Sequence, residues 1–202
     1  MRSTQLLSFF DKARKSIINA GYGQEIEYVQ NRYFKDITVN DFKVEATFVL
    51  LMSSGRKEQI VRKEFDAFMD AINPKPKQTV LEKNEDPFEI LCNRRQRAAI
   101  RNIWKNGEEI LQQVRDKPDD NAKIEFLDTL PQIGPITKFH FARNLGIDCI
   151  KPDLWLTRLS MVYGFDTPLQ MCETIREHRP EFRIGTIDVI LWRYCNFTGD
   201  LS

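Results

Sequence analysis

Two groups of residues in the stretch 130–158 are of types that could do chemistry together. The first is Leu130-Pro131-Gln132-Ile133-Gly134-Pro135, a tight turn leading into a helix. Free backbone amides at such a place, beside the positive end of a helix dipole, suit an anion such as a phosphate. The second is Asp153, within Lys151-Pro152-Asp153-Leu154-Trp155-Leu156-Thr157-Arg158. A fixed carboxylate near a held phosphate stabilises positive charge developing on whatever the phosphate carries, and can orient an attacking water. Aspartate after proline is also an ordinary helix N-cap. The two roles are compatible, because a capping carboxylate is held in one place.

The elements that must position these groups read as helices. Residues 122–130 carry Ile124, Leu127 and Leu130 on one stripe, with Asp119, Asp120 and Asn121 as candidate caps. Pro135 then opens a helix at the one position where a missing N–H costs nothing. Its apolar side is Ile136, Phe139, Ala142 and Leu145, and Gly146 ends it. Residues 122–146 are thus a helix-hairpin-helix. A further helix over 154–163 uses Leu156, Leu159, Met161 and Val162 and stops at Gly164. Elsewhere helices are expected over 4–20, ended by Gly21-Tyr22-Gly23, and over 40–53, capped by Asn40. Others fall at 56–72, 86–92, 94–115, 168–177 (opened by Thr167-Pro168) and 185–197. Asn73-Pro74-Lys75-Pro76-Lys77 is the clearest loop, and 116–121 is a polar turn. No convincing β-alternation, repeat or low-complexity tract appears, so the expected class is all-α.

Residues 130–158 resemble the helix-hairpin-helix (HhH-GPD, endonuclease III-like) DNA glycosylases. That family's hairpin reads Leu-Pro-Gly-hydrophobic-Gly and is followed by an aspartate and then an arginine. Leu130, Pro131, Gln132, Ile133, Gly134, Asp153 and Arg158 fall into those places. More weakly, Cys92–Ile100 is similar to the family's helix before the hairpin. Phe48–Gly55 is similar to its first barrel helix and following loop, and Thr186–Cys195 to its closing helix, so the likeness covers about 44–197. The resemblance implies a two-lobed helical fold with the active site in the cleft between lobes. One lobe is barrel-like, 44–148, and includes the hairpin; the other joins 1–43 to 149–202. It implies Asp153 as the catalytic carboxylate. It also implies that the hairpin (Gln132, Ile133, Gly134, Ile136, Thr137) holds a backbone phosphate, with a structural monovalent cation as an option. Arg56 is the first candidate to fill the gap left by an extruded base, and Lys57 and Arg94 are further DNA contacts. Lys151, Trp155 and Lys138 are pocket or supporting residues, Trp155 being open to a plain core role.

Two departures from the family pattern matter. Gln132 stands where the family has its first hairpin glycine, so the turn lacks a residue free to take positive φ. Members that also cut the strand carry a lysine two positions after the second glycine, and here that position is Ile136. Lys138 lies about 200° further round the helix, at 3.6 residues per turn. The expected enzyme is therefore monofunctional. It extrudes a damaged or modified base and breaks the N-glycosidic bond through an oxocarbenium-like state. It leaves the backbone intact for want of a Schiff-base amine. Two other readings remain. One is a transferase on the same scaffold, attaching an amino acid or amine to an activated thymine in phage DNA. The other is a non-catalytic DNA-binding module.

Composition sets the remaining expectations. At 202 residues the chain forms one domain or two intimate subdomains, and its net charge of +1 is no global signature of a nucleic-acid binder. Basic runs are local: Arg56, Lys57, Arg62 and Lys63, then Arg94, Arg95, Arg97, Arg101 and Lys105. Cys92, Cys149, Cys172 and Cys195 match neither a zinc ribbon nor a closely spaced iron–sulfur set, and read as free thiols in a reducing compartment. His140 and His178 form no metal pair, and His140 reads as a partly buried structural residue. No metal or cofactor is expected. With no secretory or membrane-spanning run, the expected protein is a cytoplasmic monomer whose partner is double-stranded DNA. It would be nucleoid-associated, or in the host cytoplasm if viral.

Overall fold

A computed structural model describes residues 2–73 and 86–201. Helices appear where apolar stripes meet capping residues: α1 (Arg2–Ile17), α2 (Gly23–Gln30), α3 (Val39–Met52), α4 (Glu58–Ile72) and α5 (Arg94–Arg115). They continue as α6 (Asp120–Asp128), α7 (Thr137–Asn144), α8 (Leu154–Val162), α9 (Pro168–His178) and α10 (Ile184–Thr198). No strand occurs among the described residues, so the class is all-α. Side-chain oxygens of Asn93, Asp119, Asp153 and Thr167 each accept a backbone N–H in the first turn of the helix that follows.

Several boundaries differ from the sequence reading. Gly21 does not stop the first helix: at φ +90° it kinks a π-helical turn, and Gly23 returns to φ −56° and starts α2. Burial of Ile26 and Val29 favours continuing the helix. Thr38, not Asn40, caps α3, because only Thr38 forms a reciprocal pair with the residue three on, Asp41. Residues 86–92 hold only a single 3-10 turn, Pro87–Ile90. Regular helix in α7 begins at Thr137 rather than Pro135. Of the expected loop at 73–77, Asn73 closes α4 and the rest lies outside the described residues.

The chain divides into two compact units, Met1–Ile37 with Lys138–Ser202, and Thr38–Thr137. Residues 138–148, expected with the middle lobe, belong with the terminal segments. Arg143 pairs with Asp188 of α10. Gly146, at φ +84°, lies so close to the backbone of residues 32–34 that an added Cβ would sit 2.7 Å from the Tyr33 carbonyl carbon. Residues 38–43 belong to the middle unit because the Thr38–Asp41 pair makes them the start of α3.

In the terminal unit α1 lies against α10. Leu6, Phe9, Phe10, Ala13 and Ile17 form its core with Leu156, Leu159, Met171, Ile175, Ile187, Ile190, Leu191 and Tyr194. Ile18, Met161 and Val162, expected on apolar faces, are exposed instead. The middle unit packs α3 against α4 and α5. Phe42, Val49, Leu50, Val61, Phe68, Ile100, Ile103 and Leu111 are buried there. The Trp104 indole donates to Thr47 at 2.9 Å, and the buried Gln96 amide donates to the Leu50 carbonyl at 2.5 Å. None of the helices described is long and apolar enough to cross a membrane.

Candidate active site

Asp153 heads α8 in extended conformation, φ −88° and ψ −178°. Its Oδ1 accepts the amides of Trp155 and Leu156 at 3.0 and 3.2 Å. The capping role read from sequence is therefore real, and it uses one oxygen. The other, Oδ2, lies 3.8 Å from the Lys151 ammonium, with the aspartate side chain 14 % exposed. Pro152 bends the backbone between the two residues, so that the Asp153 N–H donates to the Lys151 carbonyl at 2.7 Å. This three-residue turn suits the fixed φ of proline. Burial pushes the Lys151 amine below its ordinary pKa and Arg143 adds to this, while the Asp153 charge opposes it. The Lys151 ammonium lies 5.9 Å from the Trp192 ring centre.

What fixes this loop was not legible in the sequence. Asp188, fully buried on α10, accepts the Arg143 guanidinium at 2.6 Å and the Lys151 N–H at 2.7 Å, both on Oδ2. Its Oδ1 has no partner among the described residues. Burial pushes the Asp188 carboxyl upward and Arg143 pulls it back. One turn earlier, the Gly185 N–H donates to Asp148 at 3.0 Å. A Cβ at Gly185 would meet the Cys149 carbonyl oxygen at 3.1 Å. The available signal was a lone aspartate inside the apolar run Ile187–Leu191, since an acid buried there needs a cation.

Around this loop, Trp155 is half-buried and packs on the core of the terminal unit, with the Arg158 guanidinium 5.9 Å from its ring centre. Lys138 is buried, its ammonium 5.5 Å from the Phe139 ring. His140 is half-buried, and desolvation, followed by the charges of Arg143 and Lys151, drives its pKa well below the usual value. All four cysteines are free thiols, and burial pushes the Cys195 thiol up to about 12.

The hairpin belongs to the middle unit. The Ile133 N–H donates to the Leu130 carbonyl at 3.1 Å, closing a four-residue turn with Pro131 second and Gln132 third. Gln132 takes φ +66°, the only positive φ outside glycine among the described residues. Proline followed by a left-handed residue is the type II pattern, which ordinarily calls for glycine in the third place. The turn has thus kept its shape although the glycine is gone. One expectation is corrected: the Ile133 amide is occupied by the turn and is not open to a phosphate. The amides of Gly134 and Ile136 find no acceptor among the described residues. Nothing lies within 4 Å of where a Gly134 Cβ would be. Leu130 and Ile133 are buried beneath, Pro131, Gln132 and Ile136 are exposed, and Thr137 is half-buried.

The expected base-gap filler is tied down. Arg56 Nε donates to Ser54 Oγ at 3.0 Å, and its guanidinium pairs with Glu64, which also accepts the Cys92 N–H. Only 30 % of the Arg56 side chain is exposed. Lys57 and Arg94 are exposed at the starts of α4 and α5. Comparison with known proteins finds no matching family model, no matching curated protein and no matching solved structure.

Proposed function

We propose that the chain is a monofunctional DNA glycosylase of helix-hairpin-helix type, acting on a damaged or modified base extruded from double-stranded DNA. The observation that carries the reading is the division of labour at Asp153. One oxygen is spent on two helix amides, and the other is turned to a half-buried cation instead of to a further backbone donor. A carboxylate so fixed faces positive charge without reorganising, which is the requirement for stabilising an oxocarbenium-like sugar. In the proposed reaction the C1′–N bond breaks, its electron pair leaves with the base, and water adds to C1′ and gives up a proton that ends on the departed base. Asp153 balances the charge on the sugar. Gly134 and Ile136 amides hold a backbone phosphate of the DNA. The resemblance of 130–158 to the glycosylases supports the reading, as does a turn that tolerates a left-handed glutamine to keep its shape. The absence of lysine at Ile136 argues for an intact backbone after base release.

The experiment is incubation of the protein with duplexes bearing uracil, alkylated, oxidised or hypermodified bases, followed by alkali. Abasic sites cut only after alkali are the expected result. No abasic site on any substrate overturns the glycosylase reading, and strand cutting without alkali overturns its monofunctional part.

A further inference from the structure

The middle unit carries a second concentration of charge, apart from the hairpin. Along α5, cations recur at Arg94, Arg97, Arg101 and Lys105, with Ala98 and Asn102 between them. Spacings of three and four residues put all six on one helix face. They line a single shallow depression of about 440 Å³, and no carboxylate is among the described residues of its lining. At a rise of 1.5 Å per residue the face runs about 16 Å, one cation per turn of about 5.4 Å. Arg94, Arg101 and Lys105 are exposed.

Among the described residues, two acids reach this face from the turn before α5. Asp86 pairs with Arg101, and Glu89 pairs with Arg97 while lying 3.9 Å from Arg101. The two arginines are also set in place by uncharged groups. Arg97 donates to the Leu91 carbonyl at 2.9 and 2.7 Å, and Arg101 lies 4.6 Å from the Phe88 ring centre. The carboxylates are 39 % and 62 % exposed, so their pairs are of the weak, solvent-screened kind that a polyanion displaces.

We propose that this face of α5 is a track for the phosphate backbone of one nucleic-acid strand, with Asp86 and Glu89 as built-in competitors that the strand displaces. A straight row of cations at one-turn intervals fits a polymer with regularly spaced charges. The arginine fork matches phosphate in a two-point contact. Ala98 and Asn102 put no aromatic or large aliphatic side chain between the cations to anchor a protein partner. The choice of polyanion rests on the nucleic-acid reading above, but the surface uses neither Asp153 nor the hairpin.

The test is fluorescence anisotropy of a short unmodified duplex titrated with the full chain over a range of salt, using two double variants whose folding is checked by thermal melts. Arg101→Gln with Lys105→Gln should weaken binding and flatten the slope of log K against log salt by about 1.8, at about 0.9 per phosphate contact. Asp86→Asn with Glu89→Gln should tighten binding roughly three- to tenfold, the size of two exposed ion-pair effects. An unchanged slope in the first variant overturns the proposal, as does unchanged or weaker binding in the second. Polyglutamate that displaces the duplex at equal charge points to an acidic protein and also overturns it, as does no binding at the lowest salt. Normal effects of both variants with no abasic product from any substrate sink the glycosylase reading alone. Abasic product with both variants binding like the parent sinks this proposal alone.

Discussion

Asp153 caps α8 with one oxygen and faces Lys151 with the other, and substitution separates the cap from the proposed catalytic role. Asparagine caps a helix about as well as aspartate, so Asp153→Asn should leave stability within about 0.5 kcal/mol of the parent. Base release should fall by roughly 10²–10³, as for loss of a preorganised charge-stabilising group. Melting curves and single-turnover base release read the two effects, and unchanged release would reassign Asp153 to capping alone. Gln132 offers a second separation. Left-handed backbone costs a non-glycine residue about 1–2 kcal/mol, whereas glycine brings an entropic cost of about 0.5–1 kcal/mol. Gln132→Gly should therefore stabilise the chain by roughly 0.5 kcal/mol in urea unfolding. Gly134→Ala meets open space. It should keep stability within about 0.5 kcal/mol, as surface substitutions do, and weaken duplex binding by crowding the adjacent amides. Equal binding would show that the hairpin amides do not face the phosphate.

At the scale of elements, the loop before α8 is held by α10. Removing the Asp188 charge with Asp188→Ala leaves Arg143 buried and unpaired, which should cost about 3–5 kcal/mol in denaturant unfolding. A loss under about 1 kcal/mol would show that the pair contributes little. Capping was the most legible level of structure in the sequence. Asp153, Asp119 and the Thr167-Pro168 pair announced their helices because each cap and its amides lie within a few residues. The stripes of α1 and α6 were legible for the same reason. The Arg143–Asp188 pair was not, since its partners are 45 positions apart and only folding brings them together. Gly21 misled because glycine serves equally well as a stop and as a kink, and only the burial of α2 decides between them. Arg56 looked free because its captor, Glu64, sits on the next helix and reads as surface charge.

At the scale of the whole molecule, His140 links stability to pH. Its folded pKa lies well below the unfolded value near 6.5. Between those values the unfolded chain binds the proton and the folded chain does not, so stability rises with pH in that window. Stability should be fully present above about pH 7 and fall as the pH drops below about 6.5. His140→Gln should flatten that fall in melts taken from pH 7 downward, and an unaltered profile would mean that other groups carry the acid sensitivity. The division into units was legible only as a rough discontinuity, because the crossing points depend on contacts such as Gly146 against residues 32–34. The interleaving of units also bears on the chain's birth. The middle unit leaves the ribosome as one block, but α1 lies against α10, which is made after that block. Until α10 is made, Leu6, Phe9, Phe10, Ala13 and Ile17 therefore wait without the helix that covers them, an exposed surface that invites chaperones or aggregation. A nascent chain arrested before α10 would keep that greasy face open, so translation has to pass residue 198 before α1 is covered.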